Sequence, residues 1–423
     1  MSRNLKNRVV FFTYGCKSNK YETEKIRQMI RPPAEDSTMP ADFVIINACA
    51  ITETIDREIL RKIKSLKRAG NSKIILTGCV PPGMEKVFSG LVDYVVPNNE
   101  KFSRESYPEE LSSGWDNSGL SVLTGFSGRH RAFVKAQSGC DMSCAYCIVP
   151  LVRGSALNSR DEDEIIKEIE SLNSAGFREI VLTGINLGRY GAEKNDAEAL
   201  FCLVKRIGAM RGDFRARLSS IGPRELSENI IKAAAENPGR FCPHFHISAQ
   251  SGDDKVLKLM GRNYTTGLYA KRIDYIMKVI PGAAINTDII AGFPGEGEKE
   301  FGNTLDFLKK MPFSRVHIFP YSDRPGTRAS RSKNKVNAQI KKQRAWILVE
   351  EGKNKEREYI EKNTGRHLTM LVETKIGGMC EGYTENYIRA RVKADKAVPG
   401  GFLRVKIEGT VPGKKIIASG DAA

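Results

Sequence analysis

Three cysteines crowd into eight residues at Cys140, Cys144 and Cys147, spaced C-x3-C-x2-C in the run AQSGCDMSCAYCIVP. Thiolates at this spacing can wrap one metal centre. A [4Fe–4S] cluster normally takes four cysteine ligands, so a three-thiolate set leaves one iron open to coordinate a small molecule and deliver an electron to it. The other reading is a zinc knuckle borrowing a fourth ligand such as His130, the closest His in sequence, since zinc accepts Cys3His sets. Zinc knuckles more often pair two C-x2-C hooks. The sequence holds no second hook, which favours the cluster.

A second set of cysteines is dispersed. Cys16, Cys49 and Cys79 stand in TYGCKSN, INACAIT and LTGCVPP, each just past the carboxyl end of an expected strand. Neighbouring parallel strands bring such ends together, so three residues far apart in the chain can form one three-thiolate site. Cysteines are also common core residues. The repeated placement, with Gly beside Cys16 and Cys79, favours a second cluster.

The elements that would position these residues are legible from hydrophobic pattern. Arg8–Tyr14, Asp42–Ala48, Lys73–Gly78 and Val92–Val96 read as strands, and helical spacing follows Asn19 and Thr52. This alternation predicts a small parallel α/β sheet. Ser112–Gly128, with SSGWDNSG inside it, reads as a linker. Six further strands are expected at Ala132–Ala136, Glu179–Thr183, Ala216–Ile221, His244–Ala249, Ala284–Ile290 and Val316–Pro320, most followed by a helix. Six βα units fit an open barrel or a doubly wound sheet, and both gather ligands at strand carboxyl ends. A Lys/Arg-rich helical stretch, Arg331–Lys362, closes this region. Five short β-type runs follow at His367–Glu373, Gly378–Gly382, Tyr387–Lys393, Phe402–Glu408 and Lys414–Ala418, the spacing of a small OB-like barrel.

At 423 residues the chain is too long for one ordinary core. No apolar run approaches the roughly 18 residues that cross a bilayer, and no cleavage-type leader opens the sequence, so a cytoplasmic protein without membrane attachment is expected. Reducing conditions there make nine cysteines an unpromising disulfide framework. Lys and Arg outnumber Asp and Glu by 67 to 50, a formal charge of +17, which suits a phosphate-rich partner as well as a merely solvated basic surface. Thr364–Ala423 carries ten Lys/Arg against six Asp/Glu.

The cysteine triplet, with Tyr146 just before its last member, resembles the radical S-adenosylmethionine superfamily. Together with GCKSNKYETE, the NAC and TGC segments, SGCDMSCAYCIVPLVRG, LTGINLGRYG, RLSSIGP, HFHISAQSG, NTDIIAGFPGE and YSDRPGTRAS, the chain resembles the methylthiotransferase family over nearly its whole length. NACAIT and GCVPP depart from the family's usual NTC-T-VT and GCYAQ, flanking the second cysteine set without removing a ligand. The resemblance implies an α/β fold with an N-terminal auxiliary-cluster domain (1–103), a linker (104–128), a radical domain built as a partial (β/α)6 barrel (129–362) and a C-terminal TRAM domain of small β-barrel type (363–423). It also implies two [4Fe–4S] clusters, on Cys140, Cys144 and Cys147 and on Cys16, Cys49 and Cys79. S-adenosylmethionine would serve both as methyl donor and as source of a 5′-deoxyadenosyl radical.

Within the family, the text around Lys17, Asn19, Tyr21, Glu22 and Ile185 resembles the branch that places a methylthio group on C2 of N6-threonylcarbamoyladenosine at position 37 of tRNA, although Asn186 stands where that branch commonly has His. By resemblance, Tyr146, Gly184, Gln250, Asp288 and Gly292 would line the S-adenosylmethionine pocket. A tRNA partner, an electron donor such as flavodoxin or ferredoxin, and a monomeric enzyme are implied. The alternatives are a methylthiotransferase of the isopentenyladenosine branch, or a non-catalytic RNA-binding protein stabilised by zinc. Cys202, Cys242 and Cys380 read as core residues. His244 and His246 alternate on one strand, so only one can face the barrel interior. GFPGEG at Gly292–Gly297 lacks the Gly-Lys-Ser/Thr ending of a phosphate loop. Arg153 and Arg324 are candidates for steering a ligand, against the ordinary solvated loop arginine.

Overall fold

The computed structural model describes residues 7–30, 41–112, 115 and 122–409, and the backbone of Ile416–Gly420. The chain divides into two compact units: Met1–Thr124 with Ser138–Asn158 and Ser322–Arg331, and Gly125–Gln137 with Ser159–Tyr321 and Ser332–Ala423.

In the first unit, β1 (Val9–Thr13), β2 (Phe43–Ala48), β3 (Lys73–Gly78) and β4 (Tyr94–Val95) pair in parallel in that order. All six residues of β2 are buried, because helices cover both faces of a parallel sheet. The helices α1 (Lys17–Ile30) and α2 (Glu53–Ala69) start directly after the first two strands. Local chemistry fixes the ends of α2: Thr52 Oγ1 caps the Ile55 N–H, Glu53 and Asp56 sit at the positive end, Lys67 and Arg68 at the negative end, and Gly70 at φ 73° closes the helix.

The expected linker is narrower than its sequence suggested. Within 104–128, a short 3-10 turn at Arg104–Ser106 and α4 (Glu109–Ser112), which follows the short α3 (Glu85–Ser89), belong to the first unit. Tyr107, Leu111 and Trp115 bury their side chains in one cluster with Val9, Ile26, Phe43 and Ile75. Aromatic burial there outweighed the Ser/Gly-rich composition. Residues 113–114 and 116–121 of that stretch lie outside the described residues.

The second unit contains β5 (Arg131–Ser138), β6 (Asn158–Ser159), β7 (Glu179–Gly184) and β8 (Arg215–Leu218) in the order β6-β5-β7-β8, and β9 (His244–His246), β10 (Ala284–Ala291) and β11 (Arg315–Pro320) in the order β11-β10-β9. A parallel bridge from Ile221 to Ile247 joins the two sheets. The long strands therefore run β5-β7-β8-β9-β10-β11 without reversal. That order is an open barrel; a doubly wound sheet would switch direction. The interleaved helices are α6 (Glu162–Ser174), α7 (Ala199–Ala209), α8 (Glu228–Ala235), α9 (Asp254–Leu259), α10 (Thr266–Val279), α11 (Glu298–Lys310) and the 26-residue α12 (Ala338–Asn363); the intervening α5 (Val149–Arg153) belongs to the first unit. Strands β8 and β9 are shorter than expected because beyond Leu218 and His246 the chain makes isolated bridges rather than a ladder.

The C-terminal strands β12 (His367–Ile376), β13 (Met379–Thr384), β14 (Arg389–Lys393), β15 (Phe402–Gly409) and β16 (Ile416–Gly420) close a barrel in the order β12-β13-β14-β16-β15. The last expected run, Lys414–Ala418, begins outside the described residues, and its strand lies two residues later. Alternation builds the wall: β14 points Ala390 and Val392 inward and Arg389, Arg391 and Lys393 outward. Gly382 is required in β13, since a Cβ there would sit 1.7 Å from the Leu371 carbonyl oxygen.

A buried ionic network ties this barrel to β7 and β8. The fully buried Glu179 meets Arg215 at 2.7 Å and Arg217 at 3.0 Å, with Arg131 at 3.7 Å. Arg215 also donates to the carbonyls of Thr369 and Tyr383, and Arg217 to those of Thr384 and Glu385. Burial alone would raise the Glu179 pKa, but Arg217, Arg215 and Arg131 outweigh it and hold it at about 2. Its contribution is thus present above the ordinary carboxylate range and lost as pH falls through about 2. Glu179→Gln strands buried guanidinium groups. It is expected to cost about 3–5 kcal/mol and roughly 10 °C of Tm by anaerobic calorimetry; a change under about 0.5 kcal/mol would show the network to be dispensable.

Candidate functional site

Both cysteine triplets belong to the first unit. Cys16 follows β1 and opens α1, Cys49 follows β2, and Cys79 follows β3, so the parallel sheet delivers three thiols to one edge, as their placement after strands predicted. The approach is close. Gly15 at φ 88° has no room for a side chain, since a Cβ there would lie 2.3 Å from the Cys49 sulfur. Gly78 at φ 89° is equally constrained by Asn47 and the Ala48 backbone. These glycines beside cysteines are steric necessities of the site.

The environment is dry. Burial pushes the Cys49 thiol up to about 12, with Cys16 and Cys79 adding to the rise, and burial also raises Cys79. Desolvated thiols resist ionisation unless a cation or metal stabilises the thiolate. Arg153 supplies a cation: its Nε donates to the Cys79 sulfur at 3.0 Å, while its other nitrogens grip Glu22 at 2.8 and 2.9 Å and reach Asn19 Oδ1. Burial works against this guanidinium, but the Glu22 carboxylate outweighs it and keeps Arg153 firmly protonated.

The other triplet sits on a tight segment leading into α5. Gly139 at φ 74° turns against the Ala156 carbonyl, 1.8 Å from where a Cβ would be. Cys147 N–H donates to Cys144 O at 3.1 Å, and the YSDRPGTRAS segment braces the loop through Ala329 N–H to Ala145 O at 2.8 Å and through Arg328 to Ser143 O. Just past Cys147, Ile148 packs against Cys79 and Ala50, with Val152 beside them. The segment after one triplet is therefore a wall of the other.

Among the described residues, a three-ligand set whose ligand atoms lie within 4.8 Å of one another is His246, Asp288 and His317. His130, the sequence candidate for a fourth zinc ligand, lies in the second unit with its ring 3.2 Å from the Cβ position of Gly400.

The residues expected around S-adenosylmethionine fall in both units. Tyr146 is in the first, between Cys144 and Cys147. Gly184 ends β7, where a Cβ would press on Gln137 and Leu187 at 3.1 Å. Gln250 follows β9 at φ 67°, a strained conformation for a side-chain residue, and is pinned by backbone bonds to Asp288 and Ile290 on β10. Gly292 follows β10 at φ 70°. Asp288 accepts hydrogen bonds from Ser248 Oγ at 2.6 Å, His246 Nε2 at 2.8 Å and His317 Nδ1 at 3.2 Å. Burial opposes its charge, yet His246, His317 and Ser248 outweigh that and hold the carboxyl well below the usual range.

His246 bonds Asp288 and His244 stacks on Tyr387 with ring centres 4.4 Å apart; the expectation that only one of them could face inward does not hold, because residues two apart on a strand share a face. Cys242 and Cys380 are buried, but Cys202 is exposed: Leu200, Leu203, Val204 and Ile207 form the inner face of α7 and Cys202 lies opposite. Arg324, like Arg153, is no solvated loop arginine; it is 2% exposed and pairs with Asp56 at 2.8 Å. Glu22, Lys101, Gln137, Ser248 and His317 escaped sequence reasoning as site residues. For Glu22 a signal existed: it stands on the inward face of α1 with Asn19 and Ile26, where a carboxylate demands a partner.

A model of the radical SAM superfamily matches residues 134–308, and one described as uncharacterized protein family UPF0004 matches residues 8–95. The chain is 37% identical over 409 residues to a threonylcarbamoyladenosine tRNA methylthiotransferase MtaB of Thermotoga maritima, covering 93% of each. It is 34% identical to the protein of that name in Bacillus subtilis, covering 94% of this chain and 93% of that one. A tRNA-2-methylthio-N(6)-dimethylallyladenosine synthase of Caldicellulosiruptor saccharolyticus is 32% identical, with 96% and 91% covered. In structure, the chain resembles the radical S-adenosylmethionine methyltransferase TsrM of Kitasatospora setae, with a TM-score of 0.53 at 13% identity and 76% and 75% coverage, a likeness of fold.

Proposed function

Since the chain belongs to the radical S-adenosylmethionine tRNA methylthiotransferase family, we propose that it adds a methylthio group to C2 of N6-threonylcarbamoyladenosine at position 37 of tRNA. The observation that carries this reading is the gathering of both cysteine triplets on one compact unit, joined through Ile148, Cys79 and Arg153. When bound, the cluster on Cys140, Cys144 and Cys147 supplies the electron that cleaves S-adenosylmethionine, and the cluster on Cys16, Cys49 and Cys79 supplies the sulfur site.

The chain's own residues do the holding. Gly15 and Gly78 let the three auxiliary thiols converge, and Arg153 presents a fixed positive donor to one of them. Tyr146, Gly184, Gln250, Asp288 and Gly292 are proposed to hold S-adenosylmethionine, with Asp288 oriented by two histidines and a serine. The outward stripe of Arg389, Arg391 and Lys393 on β14, with the exposed Arg404 and Lys406 of β15 on the far side of β16, gives the C-terminal barrel basic residues suited to tRNA phosphates. No described helix is long and apolar enough to cross a membrane. A cytoplasmic monomer served by an electron donor such as flavodoxin or ferredoxin completes the proposal.

Metal analysis tests it. Anaerobically reconstituted protein should hold about eight irons per chain, two cubane clusters' worth. Stoichiometric zinc without iron would instead support a metal-stabilised RNA-binding protein.

A further inference from the structure

We infer that Arg153 is a positioning residue for the auxiliary centre, raising the reduction potential of the cluster on Cys16, Cys49 and Cys79 through its hydrogen bond to the Cys79 sulfur. The inference rests on the two-cluster reading and goes beyond it, by assigning control of one cluster's electronics to a residue on the segment that follows the other.

The geometry is specific to an arginine. A guanidinium carries five N–H donors in a rigid plane, and four are committed here. Nε faces Cys79 Sγ at 3.0 Å, Nη1 faces Glu22 Oε1 at 2.8 Å, and Nη2 serves Glu22 Oε2 at 2.9 Å and Asn19 Oδ1. The paired contact to Glu22 fixes the plane of the fork, which leaves the Nε edge no direction but the sulfur. Glu22 is held in turn by Lys101 Nζ at 2.6 Å, itself braced by Asn98 Oδ1 at 2.7 Å. Asn19 donates to the carbonyls of Tyr14 and Ala48, backbone that runs into Gly15 and Cys49. Arg153, Glu22 and Lys101 have side chains 5%, 1% and 4% exposed, so solvent screens their charges little.

Two cations against one carboxylate leave this shell one positive charge in excess beside the cysteines. Reduction adds an electron to a cluster, and both that charge and an N–H bond to a ligand sulfur favour the more negative state. The expected sign is therefore a raised potential. A lysine at the same place would keep the charge but lack the planar fork that serves Glu22 and the sulfur together. If Arg153 only anchored α5 to α1, its replacement would change stability or iron content and leave the potential of any assembled cluster where it was.

The test uses the full-length chain with Cys140, Cys144 and Cys147 replaced by Ala, so that one cluster remains, titrated anaerobically and followed by electron paramagnetic resonance. Arg153→Gln should lower the reduced fraction at fixed potential at least tenfold, a shift of about 59 mV to more negative values for one electron. Arg153→Lys should recover part of the shift. Glu22→Gln should move the midpoint the opposite way, because it removes a negative charge from the same shell. Opposite signs are beyond a merely structural role. Clusters assembled with unchanged midpoints in these variants, or shifts of one sign in Arg153→Gln and Glu22→Gln, would overturn the inference. Should Arg153→Gln fail to load iron, Arg153→Lys and Glu22→Gln decide by the same criterion. A parent protein that binds no iron at the remaining triplet contradicts the two-cluster reading itself.

Discussion

Replacing Cys140, Cys144 and Cys147 with Ala is expected to abolish reductive cleavage of S-adenosylmethionine, whereas replacing Cys16, Cys49 and Cys79 should leave 5′-deoxyadenosine formation intact and stop methylthio transfer. Each triplet supplies its own three-thiolate set, from one contiguous loop in the first case and from three strand ends in the second. Losing one set should remove about four of about eight irons. The second variant keeps its fold for identifiable reasons. Cys49 and Cys79 are small buried groups whose truncation leaves modest cavities. Arg153 loses its sulfur acceptor but stays compensated by Glu22. Deoxyadenosine by chromatography and modified nucleoside by mass spectrometry, measured on the same sample, separate the two activities. Normal methylthio transfer by the Cys16/Cys49/Cys79 variant would show the auxiliary site to be misassigned.

Much of this arrangement was legible in the sequence because it depends on period and spacing. The triplet in AQSGCDMSCAYC needs no tertiary knowledge, and the position of Cys16, Cys49 and Cys79 just past three parallel strands follows from hydrophobic pattern alone. The six strands of the open barrel and the five of the small barrel were recoverable from alternation and turn residues, with ends displaced by a few residues where ladders give way to single bridges.

What stayed hidden depends on contacts between distant residues. Whether six βα units form a barrel or an open sheet is set by strand order, which periodicity does not encode. Glu22 and Arg153 are 131 positions apart, and nothing in either neighbourhood announces that they share a buried fork. Arg215 and Arg217 carry full charges on a short strand, and nothing in their sequence neighbourhood announces a buried partner. They are buried because Glu179 and four carbonyls of the C-terminal barrel satisfy them. The Ser/Gly-rich stretch misled for the converse reason: Tyr107 and Leu111 before it and Trp115 within it bury their side chains in the core of the first unit.

Substrate choice should show the largest discrimination. A threonylcarbamoyl group carries a carboxylate, whereas an isopentenyl group is a hydrocarbon, so the two pockets require opposite chemistry. A pocket that pairs a carboxylate leaves its donors bare when a hydrocarbon enters, at about 1–3 kcal/mol for each unpaired buried group and more for a charged one. Two or three such groups give a preference of roughly a hundredfold or more in kcat/KM. The text around Asn19 and Glu22 that marks the threonylcarbamoyladenosine branch lies inside the first unit, where these two side chains bond Arg153. The residues that read the carboxylate itself are therefore to be sought elsewhere, among cations not already committed to buried partners.

The most direct measurement gives the reconstituted protein two tRNA substrates, one bearing threonylcarbamoyladenosine and one isopentenyladenosine, with S-adenosylmethionine and reductant, and reads the digested nucleosides by mass spectrometry. The 2-methylthio derivative should appear on the threonylcarbamoyl nucleoside and not on the isopentenyl one. Methylthiolation of the isopentenyl substrate alone would contradict the assigned substrate and leave the cluster chemistry standing, and no methylthiolation of either RNA by protein carrying both clusters would contradict the assigned reaction.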